Sequence, residues 1–147
     1  MGFPQIKTEQ EFDEFSRNEI WYDAAKQICL RHGISYSALN RAEYSEHIIF
    51  FVDKALIIKI FSPFRSCFER EKTGLEFANG KTSLKIPEII ATGKFENYDY
   101  LITTQLPGEL MKRDVWLQLS EKEQIPVISR LAVGLKEIHS HNADSLG

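Results

Sequence analysis

The sequence predicts an α+β fold: helices first, then a five-stranded antiparallel sheet carrying one inserted helix, then helices again. Three observations predict it. Residues 1–36 place apolar side chains at helical spacing, and residues 37–106 read as β-rich runs broken by two-residue turns. Pro107-Gly108 then ends the last strand, and the remainder, 107–147, returns to helical spacing.

Each element has its own local signal. Thr8-Glu9-Gln10-Glu11 has the form of a capping box, with Phe12 and Phe15 following at helical spacing. Asn18 can cap a second helix that carries Ile20, Trp21, Ala24, Ala25, Ile28 and Cys29 on one face, and Gly33 stops it. Two strands flank the loop Asn40–Glu46; His47–Val52, the turn Asp53-Lys54 and Ala55–Phe61 then form a hairpin. Ser62-Pro63 reads as a cap followed by proline at the first helical position, so the inserted helix is expected over 63–79, with Gly80 as its stop. Glu88–Phe95 and Tyr98–Leu106 form a second hairpin around Glu96-Asn97. Ser120-Glu121-Lys122-Glu123 is another capping box, and Ile125, Ile128, Leu131, Leu135 and Ile138 repeat at helical spacing behind it. Pro126 falls early enough in that helix to be carried, with a bend.

Composition narrows the function classes. With 43% hydrophobic and 27% charged residues the chain can bury a core, and its net charge of −3 with no basic cluster argues against a nucleic-acid partner. No apolar stretch approaches the ~20 residues that span a bilayer, so no membrane partner is expected. Cys29 and Cys67 stand alone, without metal-ligand spacing, as thiols of a reducing cytoplasm do.

Two charges break the apolar pattern. Strand alternation puts Ile57, Lys59 and Phe61 on one face and Leu56, Ile58 and Ile60 on the other, so both faces are apolar except at Lys59. In the helix that follows, Phe64, Cys67, Phe68, Glu71, Leu75 and Ala78 form one stripe, from which Glu69 and Glu76 fall aside. Only Glu71 points inward. A buried unpaired charge costs several kcal/mol, so each needs a partner, and the nearest candidate is the other. The bland alternative has Lys59 snorkelling to the surface and Glu71 facing water.

The order of these elements resembles the N-lobe of a kinase-type phosphotransferase, and is most similar to the aminoglycoside phosphotransferase family with its choline-kinase-like relatives. The matching stretches are Phe68–Glu71, Ile86–Gly93, Tyr100–Gly108 with its Leu-Pro-Gly turn, and Leu135–Ser140 at the end of a first C-lobe helix. The resemblance implies that Lys59 grips the phosphates of ATP or GTP and that Glu71 orients it. It implies that Thr103 stands behind the base, and that the backbone of Thr104, Gln105 and Leu106 hydrogen-bonds it. Ser45, in a loop that lacks glycine and carries Glu43 and Glu46, becomes the candidate flap residue over the phosphates; the alternative is a turn serine.

The family's catalytic loop, His-x-Asp-x-x-x-x-Asn, and the aspartate that follows it for Mg do not occur after His139. His139, His141 and Asp144 have metal-ligand residue types in an order that does not match, and a solvated tail is the simpler reading. The expectation is therefore the nucleotide-binding part of an ATP-dependent phosphotransferase acting on a small-molecule hydroxyl, with no catalytic residue and no activity in this chain alone. The helix at 125–138 would pack on the missing lobe, or drive self-association. The alternatives are a non-catalytic nucleotide-binding or regulatory module, and a protein-interaction domain.

Overall fold

The computed structural model describes residues 3–43 and 45–141. The chain divides into two compact units. One runs up to Lys72 and resumes over Pro87–Gln105; the other holds Thr73–Ile86 and the chain from Leu106 onward.

The first unit is built on a five-stranded sheet in which every neighbouring pair is antiparallel. Its strands are β1 (Leu39–Arg41), β2 (Ile48–Val52), β3 (Leu56–Ile60), β4 (Ile89–Phe95) and β5 (Tyr98–Thr104), in the order β1-β2-β3-β5-β4. β2 and β3 turn through Asp53 and Lys54, both at positive φ (49° and 56°), the backbone a two-residue hairpin needs. The Asp53 carboxylate also accepts the N–H groups of Ser37 and Ala38, which aims the chain into β1. β4 carries a register shift between Ile89 and Ala91, which leaves Ile90 half-exposed.

Two helices cover one face of this sheet. α1 (Glu9–Phe15) starts at a complete capping box from Thr8 and Glu11. α2 (Ile20–Arg31) starts where the Asn18 side chain accepts the Ile20 N–H, and Gly33, at φ +64°, follows its end. The buried side of α2 is Trp21, Ala24, Ala25, Ile28 and Cys29. These residues and Phe12 form one core with Ile48, Phe50, Val52, Ile58, Ile60, Tyr98, Tyr100 and Ile102. Trp21 is the anchor: fully buried, edge-on to Tyr98 at 5.1 Å, with its indole N–H donated to the Phe15 carbonyl. Ile48, Phe50, Val52, Ile58, Ile60, Tyr100 and Ile102 all belong to the same pleat face, so Lys59 is left on the other.

The inserted helix, α3 (Phe68–Ala78), begins five residues later than its expected start at Pro63. Residues 63–67 form turns instead. Long-range contacts hold them there. The Arg65 guanidinium donates to Glu9, to Asp13 and to the Glu46 carbonyl, and the Ser62 hydroxyl accepts the Phe64 N–H. Phe64 and Cys67 therefore precede the helix rather than lying on its stripe.

In the second unit, α4 (Arg113–Gln118) precedes α5 (Glu121–His139), which opens on the Ser120/Glu123 capping box and runs through Pro126. The connection after α3 packs on α5 at its buried residue, Gly134. Thr82 donates to the Gly134 carbonyl, the Ser83 N–H donates to Glu137, and Leu84 fills the space that a Cβ on Gly134 would need. Those Ser83 hydrogen bonds, from the backbone first and then the hydroxyl, hold the Glu137 carboxyl below its usual range. Ile125, Ile128, Leu131 and Leu135 remain about half-exposed, so the apolar stripe expected of this helix is only partly covered among the described residues. None of the described helices is long and apolar enough to cross a membrane.

Candidate functional site

β3 and α3 bring Lys59 and Glu71 together. Lys59 Nζ lies 2.5 Å from Glu71 Oε2, a charge-assisted hydrogen bond across twelve residues of sequence. The pair is half-sheltered rather than buried, with side chains 21% and 35% exposed, so water reaches both partners. Glu69 and Glu76 are exposed, as the helical stripe requires. The Lys59 ammonium also sits 5.0 Å from the centre of the Phe61 ring, two residues along the strand on the same face.

Register defines the surface around the lysine. Lys59 stands opposite Ile49 on β2 and Leu101 on β5, and Ile57 stands opposite Phe51 and Thr103. Directly opposed residues share a face, so Ile49, Phe51, Ile57, Leu101 and Thr103 line the Lys59 side of the sheet. Thr103 is buried there.

Past Thr103 the backbone is only partly available. The Thr104 N–H donates to the Glu88 carbonyl and the Gln105 N–H to the Ala55 carbonyl. The N–H of Glu88 goes to the Thr104 hydroxyl and so does not occupy the Thr104 carbonyl. The Leu106 N–H has no backbone acceptor among the described residues. The sequence-based expectation for Thr104–Leu106 thus narrows: two of the three N–H groups are spent inside the sheet.

Ser45 is placed differently from Lys59. It is exposed, its hydroxyl accepts the His47 N–H, and it lines a cavity of about 500 Å³ with Asp13, Arg17, Arg41 and His47 on the helix-covered side. That cavity, and another of about 790 Å³ along α2, include neither Lys59 nor Glu71.

Two residues near the pair carried no sequence signal. His47 is buried, stacks at 4.9 Å on Phe61 and takes the Ser62 N–H on Nδ1 at 3.5 Å. Burial, then the positive charge of Lys59, push its pKa down; the carboxylate of Glu71 opposes them. The hydrogen bond to Glu9 pushes the Arg65 pKa up, and the pair ties α1 to the turn before α3. Both roles depend on partners far away in sequence, which no periodicity encodes.

No group of three or more His, Cys, Asp or Glu among the described residues could hold a metal ion. Asp144, the third member of the tail set with His139 and His141, lies outside the described residues.

No family model and no curated protein matches this sequence. Solved structures match its fold. The GDP and kanamycin complex of APH(2")-IIia aligns with a TM-score of 0.67 at 13% identity, over 78% of this chain and 40% of that one. The ADP-bound aminoglycoside phosphotransferase APH(2'')-Ib gives 0.60 at 24% identity, over 89% of this chain and 42% of that one. The streptomycin–ATP–APH(2")-IIa ternary complex gives 0.58 at 23% identity, over 89% and 42%. The chain spans about two fifths of the length of these structures. Its fold is that of an aminoglycoside phosphotransferase and of protein-kinase-like proteins, with the sheet in the place of the N-lobe.

Proposed function

We propose that this chain is the nucleotide-binding part of a kinase-type phosphotransferase, in which Lys59, held by Glu71, grips the phosphates of ATP or GTP. The observation that carries the reading is the Lys59–Glu71 contact on the sheet face left free by α1 and α2. Nucleotides in the similar structures, GDP, ATP and ADP, support it.

The chemistry follows from the lysine. An ammonium has three donors; Glu71 takes one and two remain for phosphate oxygens. Glu71 also removes rotamer freedom from a long side chain before the ligand arrives, so less entropy is lost on binding. In the complete protein the reaction is transfer of the γ-phosphoryl group to a hydroxyl of a small molecule, where positioning and charge neutralisation supply most of the rate. Thr103 shapes the wall behind the base, and the Thr104 carbonyl and the Leu106 N–H are the backbone groups left to meet it; Ser45, in the cavity on the helix-covered side, has no part in this grip. Magnesium would supply charge neutralisation to the phosphates, but no group of ligands for it is assembled by the described residues, and the Glu71 carboxylate is already engaged by Lys59. The general base belongs equally to residues outside this chain's motifs. On this reading the described residues supply the nucleotide grip, and phosphoryl transfer is proposed for the complete protein.

Calorimetric titration of the chain with ATP and with GTP, beside Lys59→Met, tests this. Saturable binding of at least one nucleotide that weakens in the variant is expected. No binding of either would refute the reading and favour a protein-interaction role for the fold.

A further inference from the structure

We infer that Arg65 is a positioning residue for the nucleotide grip: anchored on α1, it holds the start of α3 where Glu71 meets Lys59. The inference deepens, and rests on, the reading of Lys59 as the phosphate ligand. Arg65 spends all three of its guanidinium nitrogens on fixed acceptors. Nε donates to Glu9 Oε1 at 2.5 Å, Nη2 to both Asp13 oxygens at 3.2 and 3.3 Å, and Nη1 to the Glu46 carbonyl at 3.0 Å. Glu9 and Asp13 lie one helical turn apart on α1, so a single planar fork meets both. The Glu46 carbonyl adds the segment that leads into β2. From the same residue a hydrogen-bonded path runs to the site. The Arg65 carbonyl accepts the Cys67 N–H at 2.7 Å, and the Cys67 carbonyl accepts the Glu71 N–H at 3.0 Å.

Among the described residues, little else fixes this end of the helix. Ala78 is the one buried residue of α3, and it belongs to the second unit. Within the first unit, Phe68 meets Phe61 edge-on at 5.4 Å and Glu71 meets Lys59, and no side chain from Phe68 to Lys72 is buried. A helix start with so little burial opens at low free energy unless it is tethered. Glu9 and Asp13 are about half-exposed, so their pairs with Arg65 contribute little to global stability. The clamp acts instead on a local equilibrium, between α3 docked with Glu71 on Lys59 and α3 displaced. Only the docked form orients the lysine, so apparent affinity falls with the docked fraction. Loss of the clamp therefore weakens nucleotide binding at most as far as loss of Glu71 itself.

The test is titration calorimetry of the full chain with whichever of ATP and GTP it binds more tightly, with circular dichroism confirming that each variant is folded. Arg65→Met, which keeps the stem and loses the fork, is expected to weaken binding about threefold, within the loss expected of Glu71→Leu. Glu9→Gln combined with Asp13→Asn removes the same clamp at exposed positions of α1 that tolerate substitution, and should weaken binding equally. That variant carries the test if Arg65→Met does not fold. In a Glu71→Leu background neither change should weaken binding further. A loss of equal size in that background is a structural effect that bypasses Glu71, and overturns the inference. Native affinity in either folded variant overturns it as well. So does a loss larger than that of Glu71→Leu, which would make Arg65 a phosphate contact. In each of these cases the Lys59 reading stands. Failure of both nucleotides to bind the native chain refutes the phosphate grip, and this inference with it.

Discussion

Removing Lys59 from its pair with Glu71 should weaken nucleotide binding more than it destabilises the fold. The contact is short, 2.5 Å, but its side chains are 21% and 35% exposed. It therefore lies between the exposed pairs that contribute about 0.2–1 kcal/mol and the buried ones whose disruption costs about 3–5 kcal/mol. Lys59→Met keeps the aliphatic stem against Phe61 and leaves Glu71 where water can solvate it, so a stability loss of about 1–2 kcal/mol is expected. Binding is another matter. The two N–H groups left to phosphate are charge-assisted, at about 1.5–3 kcal/mol each before losses to solvent. A net loss of about 2–3 kcal/mol, or roughly 30- to 150-fold in affinity, is expected of Lys59→Met. Glu71→Leu keeps the cation and loses only its orientation, which should cost roughly 3- to 10-fold, or about 0.7–1.4 kcal/mol. In the double variant the glutamate has nothing left to orient, so affinity should equal that of Lys59→Met alone. Titration calorimetry supplies the affinities and urea unfolding the stabilities. Additive losses in the double variant, or native affinity in Lys59→Met, would refute the division of labour between the two residues.

Other perturbations test the scaffold that positions the pair. Gly93→Ala places a Cβ inside the Tyr100 phenol, whose hydroxyl is hydrogen-bonded to His32, and should lower stability by about 1–3 kcal/mol in urea. Gly74→Ala is the control: it lies inside α3 with open space around it, and the same change should stabilise by about 0.5–1 kcal/mol. His47 supplies a pH dependence. Its folded pKa is depressed, so the unfolded chain takes up the proton first as pH falls through about 6.5, and stability declines from there down to the folded value. The slope should not exceed about 1.4 kcal/mol per pH unit for one proton, and His47→Gln should flatten it. Urea midpoints between pH 7.5 and 5 measure this above the range where Glu123 and Glu137, both held below the ordinary carboxylate range, begin to titrate. A curve unchanged in His47→Gln would remove His47 from the account.

Local chemistry was legible wherever the deciding partners lie within a few residues. The Thr8/Glu11 and Ser120/Glu123 capping boxes, the Asp53-Lys54 turn and the Gly33 stop all follow from side chains or φ values at fixed short offsets. The start of α3 did not follow. Pro63 satisfies every local rule for a first helical residue, and Arg65 overrides them by reaching Glu9, Asp13 and Glu46. Ser45 is a similar case, since its loop position said nothing about which face of the sheet it would line.

The same division holds for the candidate site. Residue order alone determined that a strand lysine and a helix glutamate break two apolar patterns, because periods of two and of three to four assign a side to every residue. It also determined the α+β order of elements, through turn and cap residues that act over one turn of chain. Which side of the sheet is open was decided only when α1 and α2 covered the other with Phe12 and Trp21. How sheltered the pair is and how Thr104 and Gln105 spend their N–H groups were likewise tertiary outcomes. Burial and hydrogen-bond satisfaction depend on every neighbour in space, and the sequence lists only neighbours along the chain.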